Sequence, residues 1–247
     1  MYRFLVLFKR DLVNLFINPV FLPYNTIFPV IMVLVLGLLV RSTYGSVVTS
    51  YDYYGVTIMV YMGLNISVIA TNSFMEKSLK DTNLRVMYTP IRIWYIYAAK
   101  ILATFVFAVV CFSAVMVALH YWPGVNFGGE NAIYVALLLA ALSFFSCSLG
   151  VLFCCIFRSE ELSNKILTFV NLAFALLGGV FFQPDSLGPT VVALSYASPA
   201  RWVSQSAFRI IYDADFTGFL AIVCGLLVMG IGLTLLCAYF FRTEDYV

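Results

Sequence analysis

Few residues in this chain could do chemistry, and their spacing argues against most of it. There is one histidine in 247 residues, His120, and no Ser–His–acid set can be assembled around it. No Gly-Lys-Ser/Thr phosphate loop is present, so ATP is not held here in the usual way. The six cysteines, Cys111, Cys147, Cys154, Cys155, Cys224 and Cys237, all fall in or beside apolar runs. Thiols in such places behave as small hydrophobes. Cys154 and Cys155 invite a reading as metal ligands, but neighbours on a helix point about 100° apart, and no histidine or second pair accompanies them. Neither a disulfide framework, nor a metal site, nor a directly bound cofactor is expected.

The remaining polar groups are isolated. Asn65 and Asn171 lie inside apolar runs, where amides by default bond helix to helix; the other reading makes them polar points on a passage. Aromatic residues form 17% of the chain. Phe169, Phe181 and Phe182 either pack and face lipid or line a passage that stacks on rings of a cargo. His120, beside Tyr121 and Trp122, fits an interfacial aromatic belt, with a proton relay as the alternative. Lys165 either snorkels to the interface or meets a gate or partner. An intramembrane lipid-modifying enzyme would need clustered ionisable groups facing one cavity, and a passive channel a polar stripe along one helix. The apolar runs offer neither.

The elements that position these residues follow from composition. The chain is 63% hydrophobic and 11% charged, against roughly 25% charged in a soluble domain. A core of this length cannot hide that much apolar surface from water, so lipid is the solvent. Long unbroken apolar runs, rather than ten-residue alternation, make the spans helices and not strands of a barrel. The expected fold is an all-α integral membrane protein, one domain over residues 1–247, with six transmembrane helices near 20–40, 53–74, 94–120, 132–157, 162–182 and 217–241. The net charge of +2 gives no support to nucleic-acid binding.

Residues 1–18 are too charged to span and too apolar to stay in water. Arg3, Arg10, Asp11 and Asn14 fall on one side of a helix, with Phe4, Phe8, Leu12 and Leu15 opposite; Leu7 intrudes on the polar side. This predicts an amphipathic helix lying in the interface, ended at Asn18-Pro19. Arg3, Lys9, Arg10 and Asp11 also break up any signal-peptide pattern. Eleven lysines and arginines collect on one side of the predicted topology, against Arg41, Arg201 and Arg209 on the other. Both termini are therefore expected in the cytoplasm of a multi-pass cell-membrane protein.

Two connections stand out. Segment 75–92 is the most polar and basic stretch; Asp81 or Thr82 can cap a short helix through Tyr88, which Pro90 stops. Segment 183–215 is long and external yet largely apolar, and neither apolar piece reaches the ~20 residues needed to cross. Two half-inserted, re-entrant helices broken at Ser198-Pro199 are expected.

These segments resemble the membrane subunits of type-2 ATP-binding-cassette (ABC) transporters. The family pattern places a Glu at the base of the second span and a short helix ending in Thr-Pro. Here Glu76, Thr82 and Thr89-Pro90-Ile91-Arg92 match, and Lys100 matches a Lys at the start of the third span. The family's Gly-Thr-Leu-Glu helix start reads Asp81-Thr82-Asn83-Leu84 here. A second likeness runs through Gly178-Gly179-Val180-Phe181-Phe182, Pro184, Leu187, Tyr196, Pro199 and Ala207-Phe208-Arg209.

The resemblance implies an exporter permease, itself without catalysis. It would pair with a second copy or a homologous permease and be driven by two ATP-binding subunits that hold ATP and magnesium. Segment 75–92 would be the coupling helix docked into the ATPase. Leu84, Met87 and Tyr88 would form its apolar face, and Glu76 either orients it or is merely an exposed helix-end charge. Substrate would pass between copies along the second and fifth spans, with the re-entrant helices closing the outer side. A lipophilic small molecule or peptide is the expected cargo, with lipid-linked polysaccharide as the alternative.

Overall fold

The computed structural model describes residues 2–41, 45, 48–75, 94–181 and 188–240, and all regular structure among them is helical. Helix α1 (Tyr2–Ile17) is followed by α2 (Phe21–Leu39), α3 (Ser50–Met75) and α4 (Trp94–Tyr121). A short 3-10 turn (Gly129–Asn131) leads into α5 (Ala132–Phe157), then α6 (Glu160–Leu177), α7 (Pro189–Ser195), α8 (Pro199–Phe208) and α9 (Phe219–Phe240). A π-helical turn, Arg209–Asp213, extends α8.

Five helices among the described residues are long and apolar enough to cross a membrane: α2, α3, α4, α5 with its leading turn, and α9. The expected sixth, near 162–182, is α6. It carries Glu160, Glu161 and Lys165 in its first turns, and it stops at Leu177 instead of Phe182. The stop has a local cause. Gly179 adopts φ +76°, a backbone shape open to glycine. Its N–H bonds to Leu176 O at 3.3 Å while Val180 N–H reaches Ala175 O at 3.0 Å. These two bonds form a Schellman end, and the helix cannot wind through it. At the other end, Arg158 at φ +54° closes α5, and Ser159 caps α6 by accepting from Leu162 N–H.

Helix α3 is the centre of the bundle, packed against α2, α4, α5, α6 and α8. Small residues set its distance from α5. A Cβ built on Gly150 would lie 2.1 Å from Ser67 O, so the backbones meet with no side chain between them. Thr71 Oγ1 donates to Gly150 O at 3.3 Å and Cys154 Sγ to Thr71 O at 3.8 Å, which sews the same seam. Helix α9 lies chiefly on α5, burying only Leu226, Gly230 and Cys237. Helix α1 lies on α4, with Phe4 against Trp94 and Tyr95 and Phe16 against Phe107.

Candidate functional site

The strongest polar constellation sits where α1, the end of α3 and the start of α4 converge. Leu7, Asp11 and Leu15 recur at every fourth position and form the buried stripe of α1. Asp11 therefore points inward, toward Lys100 in the second turn of α4. The Lys100 ammonium lies 3.6 Å from Asp11 Oδ1 and donates to Ser73 O at 2.6 Å. Only 2% of Lys100 and 4% of Asp11 is exposed. Ser73 lies in the last described turn of α3, so the ammonium joins a backbone carbonyl of one helix to the carboxylate of another. Arg10 closes the group, its Nη2 2.9 Å from the same carboxylate oxygen.

This junction brackets residues 76–93. Ser73 stands three residues before that stretch and Trp94 begins the helix after it. The expected coupling residues Glu76, Thr82, Leu84, Met87, Tyr88 and Pro90, with the helix over 81–88, lie outside the described residues, as does Phe182. Sequence reasoning placed Lys100 by family pattern but set Asp11 on the polar face of α1. The usable signal was Leu7, the apparent intruder: with Leu15 it flanks Asp11 at four-residue spacing on both sides.

A second polar set joins α3 to α6. Asn171 Nδ2 donates to Ser67 Oγ at 2.9 Å and approaches Asn65 Oδ1 at 3.5 Å. Two turns away, Asn164 Nδ2 donates to Asn72 Oδ1. Asn65 and Asn72 are seven residues apart, as are Asn164 and Asn171, so antiparallel helices meet amide to amide twice. Asn65 and Asn171 are thus together and buried, 6% and 1% exposed. Phe169 is 74% exposed, on the face of α6 turned away from α3, and Phe181 packs edge-on to Tyr61 at 5.8 Å. Lys165 pairs with Glu161 at 2.7 Å in the open, a contact worth a few tenths of a kcal/mol at ~0.3–0.5. Replacing Asn171 by leucine should cost about 1 kcal/mol, the usual size of such bonds in membranes. Thermal unfolding in detergent measures it, and an unchanged midpoint would mean the ladder contributes nothing.

The opposite end of the bundle is tied through α6 and α8. Tyr53 OH donates to Gly179 O at 2.6 Å, and its ring stacks on Phe208 at 5.6 Å. Ser198 Oγ donates to Phe174 O at 2.6 Å and Ser204 Oγ to Gly178 O at 3.2 Å. Hydroxyls from α3 and α8 thus satisfy carbonyls at the end of α6. Asp52, in the first turn of α3, accepts from Thr49 Oγ1 at 2.7 Å and from Asn126 N–H at 2.7 Å, which pins the loop between α4 and α5. Burial and the neighbouring Asp52 carboxylate push the Tyr212 phenol above its ordinary pKa. His120 is exposed; its Nδ1 lies 3.2 Å from Val125 O and its ring meets Tyr121 edge-on.

A polytopic helical membrane protein with its buried ion pair at one end of the bundle is a class with many members. The profile of the ABC-2 type transporters narrows it: the match runs over residues 2–212, from α1 through the last full turn of the π-helical extension, and the chain belongs to that family. No curated protein matches it. The chain is therefore a multi-pass transmembrane subunit of an ABC-type transporter, a family whose membrane subunits work with an ATP-binding partner.

Proposed function

We propose that this subunit forms the substrate passage of an exporter, as a dimer of two such chains driven by two ATP-binding subunits, and is itself without catalytic activity. In this reading α6 is the sixth crossing. Its course beside α3, from Asn72–Asn164 at one end to Tyr53–Gly179 at the other, supports that. Both termini face the cytoplasm of the cell membrane, α1 lies in the interface, and α7 and α8 re-enter from outside to close the passage. Asn65, Phe169, Asn171, Phe181 and Phe182 on or next to α3 and α6 are the candidate contacts for cargo, a lipophilic small molecule or peptide.

The observation that carries the reading is the Lys100 ammonium bound at once to Asp11 of α1 and Ser73 of α3. One buried charge ties the helices flanking residues 76–93 to the interfacial helix. A push delivered to that segment by a closing ATPase pair reaches three helices together.

The test is on the segment itself. Leu84, Met87 and Tyr88 carry the contact, with Glu76, Thr82 and Pro90 setting its ends. Leu84→Asp or Tyr88→Asp would bury an uncompensated charge, a penalty of about 3–5 kcal/mol. Co-purification of the ATP-binding subunit and cargo export should both fall while membrane insertion stays intact. Normal pull-down and export in both variants would make 76–93 a solvated loop.

A further inference from the structure

At the end of the bundle away from Lys100, α8 and the start of α9 leave a lateral groove of about 350 Å³. Its α8 wall presents Trp202, Gln205 and Arg209; the other wall presents Thr217, just before α9, and Ala221 and Gly225 on it. The walls are graded. Arg209 and Thr217 lie at the polar rim, Thr217 in the turn before α9, and Ala221 and Gly225 follow in the first two turns of that apolar helix. From Phe219, where α9 begins, to Gly225 the groove descends about 9 Å at helical rise, more than half of the ~15 Å apolar half of a bilayer. Gly225 gives it depth: a Cβ built there finds nothing within 4 Å. Trp202 and Tyr196 stand where interfacial aromatics sit, the indole N–H held by Tyr196 O at 3.0 Å.

The charge at the rim is also arranged. Arg201 leans over the Tyr196 ring at 6.0 Å, about two turns before Arg209 with Gln205 midway. The acid that feels Arg209 is Asp215, whose carboxyl is held below the usual carboxylate range by hydrogen bonds from Thr217. Its Oδ1 accepts both the Thr217 N–H and the Thr217 hydroxyl. Arg209 itself is exposed, with the planar donors that suit a phosphate.

We propose that this groove binds one anionic phospholipid of the adjoining leaflet, its phosphate on Arg209 and its acyl chain past Thr217 and along the Ala221 and Gly225 face of α9. The site lies apart from the coupling junction and needs neither ATP nor cargo.

Trp202 supplies the probe. The full chain with Trp94→Phe and Trp122→Phe keeps Trp202 as its one tryptophan, since the sequence has three. Reconstituted in phosphatidylcholine, it is titrated with chain-brominated phosphatidylglycerol or with chain-brominated phosphatidylcholine. Quenching should show a preference of about fivefold for the anionic lipid, the size of one arginine's attraction at such a surface. Arg209→Gln should level the two lipids, and Gly225→Leu, whose Cβ meets nothing within 4 Å, should weaken quenching by both. Inorganic phosphate should not compete. Equal quenching by the two lipids, or a preference that survives Arg209→Gln, overturns the proposal. Full displacement by inorganic phosphate would also overturn it, as the mark of a free-anion site. Because the assay involves no ATP-binding subunit, its failure leaves the transport reading untouched.

Discussion

Asp11→Leu should be among the most damaging single substitutions in the chain, and more damaging than Lys100→Met. The asymmetry comes from what each change leaves behind. Without Asp11, the Lys100 ammonium remains 2% exposed, with the neutral Ser73 carbonyl as its partner among the described residues. An unpaired buried charge of this kind costs about 3–5 kcal/mol. Without Lys100, Asp11 still keeps the Arg10 guanidinium at 2.9 Å, so the loss is smaller. The double variant Asp11→Leu/Lys100→Met removes both charges and should regain most of the stability, because a buried pair replaced by apolar groups is often neutral. Thermal unfolding of the purified chain ranks the three. ATP turnover and export by the assembled transporter then separate packing from coupling. If the junction transmits motion, the double variant hydrolyses ATP with little export. A double variant that exports normally would reduce the ion pair to a structural contact.

Gly150→Ala should also destabilise the fold, by about 3 kcal/mol, although it adds one methyl group. The new Cβ would stand 2.1 Å from Ser67 O. A backbone carbonyl in the middle of the central helix has no rotamer by which to give way, so α3 and α5 must move apart. Forced separations of a packed core fall at the upper end of overpacking costs. Gly225→Ala is the control: its Cβ meets nothing, so its effect should stay within about 0.5 kcal/mol. Equal stability of the two variants would show that the α3–α5 seam is looser than drawn here.

How much of this was legible beforehand depends on which physical signal each feature leaves. Apolar run length is a strong signal, and α2, α3, α4, α5 and α9 begin and end within about three residues of the expected spans. The break between α7 and α8 at Ser198-Pro199 was legible for the same local reason, since proline writes its restriction into the chain. The end of α6 was harder. Gly178 and Gly179 sit in an unbroken apolar run, and hydropathy does not register that Gly179 turns left-handed. The amide ladder was half visible: Asn65 and Asn171 were singled out, but their pairing requires knowing that α3 and α6 are antiparallel neighbours. Asp11 was misread because a carboxylate on an amphipathic helix is assigned to water by default, and only the cation opposite changes that. Gly150 left no mark at all, since a close approach is a property of two helices and is absent from either one alone.

The light attachment of α9 bears on how this chain can diverge. Leu226, Gly230 and Cys237 alone of its residues are buried, and at Gly230 a Cβ would strike the Phe144 ring at 2.7 Å. Phe219, Ile222, Val223, Met229 and Leu233 are partly buried against the core and the Thr234 hydroxyl donates to Ser148 Oγ, so drift through Leu, Ile, Val and Phe disturbs the bundle least at outward positions such as Leu220, Val228 and Leu235. Selection on one chain's own fold sees the inward side of the helix and little of its outward side. Where related sequences hold an outward position of α9 fixed, Gly225 above all, the restraint is imposed by something other than this chain's own core.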